Sequence, residues 1–154
     1  MKRFLVAIIV VMFVPTDGAA QIINPMVGLT SVDAGVEVTW DDGITRVSEN
    51  NYTRQFRDAF RLAIMRAGLS VDEDAPNFLT CSLVVLPATD EATLIAMGWK
   101  IALTELATYR GQRQFVDTWS TFGVWTMGQN NLDARQDAID CAEAFELEWR
   151  RANN

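Results

Sequence analysis

The 154-residue sequence contains no histidine. That removes every mechanism resting on an imidazole base, and most zinc sites with it. Cysteine is scarce: Cys81 and Cys141 are the only two. No Cys pair has metal-ligand spacing, and no imidazole is available to activate a thiol nucleophile. With 9 Gly and 4 Pro, collagen-like and low-complexity classes are excluded, and there is no Gly-rich phosphate loop. Beyond residue 20 the single lysine is Lys100. It is the one candidate base for a serine nucleophile, it falls inside a predicted strand, and no Gly-x-Ser-x-Gly elbow accompanies it. Positive charge is the minority sign, 13 basic against 20 acidic residues for a net −7. Nucleic-acid binding needs basic side chains to neutralise phosphates, so it is not expected.

What the chain does have is apolar content, 49% of residues. That is enough to order one domain of this length and argues against disorder. The apolar content is not evenly spread. Lys2 and Arg3 precede an unbroken apolar run over residues 4–14, broken by Pro15 and followed by Gly18, Ala19 and Ala20. This is the pattern of a secretory signal, predicted over residues 1–20, with an uncleaved N-terminal anchor as the other reading. Eleven apolar residues fall short of the roughly 20 that span a bilayer, so no stable transmembrane anchor is expected after its removal. No cysteine lies near the end of the run, so lipid attachment at a processed N-terminus is not expected. Removal leaves 11 basic and 19 acidic residues, a net −8. In an exported chain an even cysteine count predicts a Cys81–Cys141 disulfide. Two separate buried thiols are the alternative.

Residues 21–33 read as an extended lead-in, and residues 34–154 as a single domain. Alternation over residues 35–40 gives a strand with Val36, Val38 and Trp40 on one face. Asp41, Asp42 and Gly43 signal a turn, with a brief return strand over 44–47. Ser48 or Asn50 can cap a helix that runs to Ala67. Its apolar stripe is Tyr52, Phe56, Phe60, Ala63 and Ala67. Arg54, Arg57, Arg61 and Arg66 fall mainly off that stripe and read as a solvated face. Gly68 is placed to be the left-handed residue after the helix, with Leu69 folding back behind it. An acidic loop over 72–77 leads to a strand over 78–86, where Leu79, Cys81, Leu83 and Val85 share one face. Residues 92–109 fit a strand or a helix. The tight turn over 110–113 and the Phe-, Val-, Thr- and Trp-rich segment 114–126 favour a strand and a hairpin. Asn130 or Asn131 can cap a last helix over about 132–151, with Ala138, Cys141, Ala142, Phe145 and Trp149 inward. The phases of these elements put Cys81 and Cys141 in one sheet–helix interface. The expected fold is α+β, a two-layer sandwich of about four mostly antiparallel strands with two helices on one face, in the order β-α-β-β-β-α.

Asp41 with Asp42, Asp72 with Glu73 and Asp74, and Asp90 with Glu91 form carboxylate clusters. All three fall at predicted turns, where Asp serves local hydrogen bonding. Asp72, Asp74 and Asn77 match no calcium loop and lack its terminal Glu. Asn51, Tyr52 and Thr53 match a glycosylation sequon, a position that helix capping explains equally well. The aromatics carry more. Trp119 and Trp125 share one face of the last strand, Phe122 takes the other, and Trp99 lies in the likely partner strand. Large apolar groups on both faces mark a candidate ligand or partner surface, weighed against packing under the helices on one side and under the N-terminal segment on the other.

The helix end over residues 56–68, the strand carrying Trp119 and the tail over 145–153 give a layout that resembles small exported bacterial envelope accessory proteins. Among these is the lipopolysaccharide-assembly lipoprotein that plugs an outer-membrane barrel. The likeness covers the order of elements over about residues 30–152. It implies an envelope role, without the lipid-attachment cysteine and with no binding residue to carry over. The expectation is a non-catalytic exported module, with no catalytic residue, metal or cofactor, that binds an envelope protein through a sheet edge or an aromatic face. One alternative is a binder of an apolar or glycan ligand among Trp99, Trp119 and Trp125. Another is a carboxylate-dependent hydrolase or metal-binding protein centred on residues 72–74.

Overall fold

The computed structural model describes residues 24–40, 49–88 and 94–154. The expected export signal, the Asp41–Asp42 turn, the return strand over 44–47 and the Asp90–Glu91 cluster lie outside these residues. The chain folds as strand β1 (Ser31–Trp40), helix α1 (Glu49–Ala67), a two-residue strand β2 (Ser70–Val71), strands β3 (Asn77–Pro87), β4 (Leu94–Tyr109) and β5 (Gln112–Gly128), and helix α2 (Ala134–Asn153). The class is α+β, with both helices on one face of a single sheet. The sheet has five strands in the order β2-β1-β3-β4-β5, where about four were expected.

It is also more mixed than expected. β1 runs parallel to both β2 and β3, and only β3, β4 and β5 are antiparallel. The cause is α1. Its 19 residues span about 28 Å and carry the chain back along the sheet, so the next strands re-enter in the direction of β1. Strand β1 starts four residues before the expected Gly35. The lead-in is not simply extended: it turns at residues 25–28, and Met26 is fully buried in the core. The end of α2 holds it there. The Asn153 side chain accepts from the Gly28 amide at 2.9 Å and donates to the Met26 carbonyl at 2.8 Å. Trp149 Nε1 donates to the Leu29 carbonyl at 3.0 Å.

Helix α1 buries Tyr52, Phe56, Phe60, Ile64 and Ala67; Ile64 takes the deep place expected of Ala63, which is half-buried. Gly68 has φ +111°, and Leu69 N–H donates back to the Ile64 carbonyl, as the left-handed helix end requires. The ambiguous stretch from residue 94 is a strand. Arg110 and Gly111 both have positive φ, the geometry of a two-residue hairpin turn whose twist matches its strands. The cap of α2 is Asp133, not Asn130 or Asn131. Its carboxylate accepts from the Arg135 and Gln136 amides at 2.9 and 3.3 Å, while residues 129–131 form a short 3-10 turn.

Cys81 and Cys141 are bonded to each other. Both are fully buried, in the same core as Phe56, Phe60, Met97 and Phe145. Among the described residues no helix is long and apolar enough to cross a membrane.

Candidate functional site

Each long strand sends alternate residues to the helices. On β3 these are Leu79, Cys81, Leu83 and Val85; on β4 they are Ile95, Met97, Ile101 and Leu103. The remaining alternate residues form a second face that neither α1 nor α2 covers. On it lie Val84 and Leu86 of β3 and, opposite them across β4, Phe122 and Val124 of β5. Phe122 is 77% exposed and Val124 73%. Ala96 and Gly98 of β4 stand between the two rows, so small side chains leave the larger apolar ones standing clear. β5 is also the last strand of the sheet. Among the described residues its outer backbone edge has no strand neighbour, and an unpaired edge is a template for another chain.

A bulge shapes this face. Leu103 pairs with Trp119 but Thr104 pairs with Asp117, so Thr118 is the extra residue. Its hydroxyl closes the gap by donating to the Leu103 carbonyl at 3.1 Å. The extra residue reverses the alternation and brings Phe115 and Asp117 onto the open face. There Lys100 Nζ donates to Asp117 at 2.6 Å, and Thr104 Oγ1 donates to its other oxygen at 2.8 Å. The lysine bond, then the threonine bond, holds the Asp117 carboxyl below its ordinary value. Lys100 is therefore engaged in an ion pair with Asp117, and stands opposite Ser82 of β3, whose hydroxyl donates to Glu37 at 3.3 Å.

The four aromatics singled out in the sequence are divided between the faces. Trp119 meets Phe145 of α2 edge-on at 5.7 Å. Trp99 and Trp125 are half-buried against the same core. Only Phe122 lies open. The Trp99 indole rests over Gly123, where an added Cβ would stand 2.9 Å from two of its ring carbons. A Gly123→Ala protein must move that ring, which is expected to cost about 1–2 kcal/mol. A lower midpoint in urea together with a red-shifted tryptophan emission would register it; an unchanged midpoint would contradict the packing.

The remaining described candidates make local contacts. Asp72 caps its own turn, accepting from the Asp74 and Ala75 amides at 3.0 and 3.1 Å, while Glu73 pairs with Arg61 at 3.4 Å. Their side chains are exposed. Among the described residues no group of three His, Cys, Asp or Glu side chains could hold a metal ion. Asn51 accepts from Arg54 in the first turns of α1, and Tyr52 of the sequon is buried.

Sequence reasoning missed one pair. Asp137 is 3% exposed, yet it is a carboxylate. It accepts a 2.5 Å hydrogen bond from the Tyr52 hydroxyl across the two helices. Its position four residues before Cys141, on the inner stripe of α2, was the available signal. Burial pushes its carboxyl up to about 6, against the opposing effect of the Tyr52 bond; the nearby Asp140 and Asp133 charges add to the rise. The Tyr52 hydroxyl is itself pushed up, by burial and then by its bond to Asp137. Trp40 packs edge-on against Tyr52 at 4.9 Å, and its buried Nε1 has no hydrogen-bond partner among the described residues. Beside this pair a cleft of about 500 Å³ opens between the helix starts, lined by residues that include Asn51, Gln55, Asn131 and Asp133. It offers amides and a capping carboxylate, with no nucleophile.

No family model matches this chain. No curated protein matches it either. Among solved structures it is similar to PelC from Paraburkholderia phytofirmans, solved as a dodecamer, at 12% identity and a TM-score of 0.42, over 77% of this chain and 86% of that one. A candidate lipoprotein from Caulobacter crescentus CB15 is similar at 11% identity and a TM-score of 0.34, over 75% and 88% of the two chains.

Proposed function

We propose that this chain is a non-catalytic protein-interaction module of the bacterial envelope, exported by its first twenty residues. The observation that carries the reading is the pair Phe122 and Val124, three-quarters exposed on the sheet face away from α1 and α2 and on the strand whose edge is open among the described residues. Apolar side chains held in this way lose water on contact, and the adjacent backbone edge supplies hydrogen bonds and register. The charged run at residues 2–3, the apolar run after it and the buried disulfide support the exported setting. The order of elements, which in the sequence resembles that of small exported envelope accessory proteins, favours an accessory role there. Among the described residues no group of three His, Cys, Asp or Glu side chains could hold a metal ion, which favours binding over the metal-site reading. A ligand lodged among Trp99, Trp119 and Trp125 is disfavoured, because those rings are spent on the core.

The test is capture from intact envelopes with the purified protein, wild type against Phe122→Asp/Val124→Asp. Both side chains are exposed, so the midpoint of unfolding is expected to stay within a few degrees. Retention of the partner is expected to fall by about tenfold or more. Recovery of nothing beyond this chain, or equal retention by the double variant, would remove the proposal.

A further inference from the structure

The tip of the β4–β5 hairpin stands beyond the sheet. Strand β3 begins at Asn77, opposite Glu105. Past that point Leu106, Ala107, Thr108 and Tyr109 pair only with Phe115, Gln114, Arg113 and Gln112. A two-stranded ribbon without a third strand or a helix is marginal in water. This one is also apolar at its base: Phe115 is 62% exposed, and Leu106 and Val116 are exposed beside it. Phe115 meets Phe78 edge-on at 5.2 Å, and with Leu106, Glu105 and Arg113 they line a cleft of about 400 Å³. The segment's charge is opposite to that of the molecule. Residues 106–116 carry Arg110 and Arg113 and no acid, in a chain of net −7. Arg113 forms no ion pair among the described residues.

A matching surface lies on α2. Asp140, Glu143 and Leu147 recur at helical spacing on its exposed side, and Leu147 is 53% exposed. The other outward acids of this helix are taken: Glu146 by Arg150 and Glu148 by Arg151. Asp140 accepts only a neutral bond from Gln136, and neither it nor Glu143 has an ion-pair partner among the described residues. One surface therefore offers an arginine beside exposed Phe and Leu, the other two carboxylates beside exposed Leu.

We infer that the hairpin tip docks on the α2 face of a second copy of this chain, Arg113 against Asp140 and Glu143, and Phe115 and Leu106 against Leu147. Opposite charges around an apolar contact set its register and speed its formation. The contact is made between two different patches, so it repeats either reciprocally in a pair or head-to-tail in a ring or filament. It uses neither Phe122 nor Val124, and its failure leaves the proposed function standing.

The experiment is light scattering on the purified protein over a concentration series to about 100 µM, the range for a weak contact. Wild type is expected to reach at least twice the chain mass and to dissociate as salt is raised. Arg113→Glu and Glu143→Arg are each expected to weaken association by about tenfold or more, and the protein carrying both to recover it, since each change then meets its complement. Phe115→Asp is expected to give a monomer with an unchanged circular dichroism spectrum. A wild type that is monomeric throughout overturns the inference. So does association that neither single charge reversal weakens, or a doubly reversed protein that stays monomeric.

Discussion

Unfolded and refolded in dithiothreitol, the protein is expected to lose about 4 kcal/mol of stability relative to its oxidised form. The bridge closes a loop of 60 residues, and restricting the unfolded chain to that extent is worth about this much in the chain-entropy account. Small domains hold about 5–15 kcal/mol in all, so the reduced protein is left marginal at 37 °C. The loss has a local reason to be large. Cys81 is on the central strand β3 and Cys141 on α2, both fully buried, so the bond ties helix to sheet at the middle of the core. Cys81→Ala/Cys141→Ala is expected to match the reduced wild type, with a further cost for the volume removed. Urea titration with and without reductant reads the difference. A shift below about 1 kcal/mol would show that the fold does not depend on the bond.

Acidification from pH 7 to pH 4.5 is expected to stabilise the folded protein through Asp137, opposite to the usual effect of a carboxylate. In the fold this group protonates near 6; in the unfolded chain it protonates near the ordinary value of about 3.9. Between those values the folded state holds a proton that the unfolded state does not. Stability therefore rises as pH falls through about 6 and levels off near 4, by up to about 3 kcal/mol. Asp117, held below its ordinary value, has the opposite sign and acts only lower, in the range where unfolded carboxylates protonate. Asp137→Asn is expected to flatten the curve between pH 6 and 4. Tyr52→Phe leaves the buried carboxylate without its donor, so it is expected to lose more stability at pH 7.5 than at pH 4.5. Urea midpoints across this pH range decide it. A wild type weaker at pH 5 than at pH 7, with no difference from Asp137→Asn, would contradict the buried pair.

The elements with strong periodicity were legible. The α1 stripe, the turn at Gly68 and the inward row of β3 each follow from local spacing, and so did the cysteine pairing, because both residues lie on core-facing phases. The lead-in was not legible. Met26 reads as an isolated apolar residue until Asn153, 127 positions away, accepts from one backbone amide there and donates to a carbonyl. Nor was the parallel course of β1 visible, since strand direction depends on where α1 returns the chain. The candidate surface was half legible. Alternation put Trp119 and Trp125 opposite Phe122, but nothing local says which face the helices take. The reversal at Thr118 that brings Asp117 to Lys100 has no sequence signature of its own.

The amino-acid order alone determined the class of fold, the disulfide and the absence of any imidazole, because these depend on composition and on periods of two and of three to four residues. Only the tertiary structure decided that the indoles face inward, that Phe122 and Val124 stand uncovered and that a carboxylate is buried against Tyr52. Each of those rests on which face two helices cover, a choice made between segments far apart in the chain, where burial of the larger apolar surface wins.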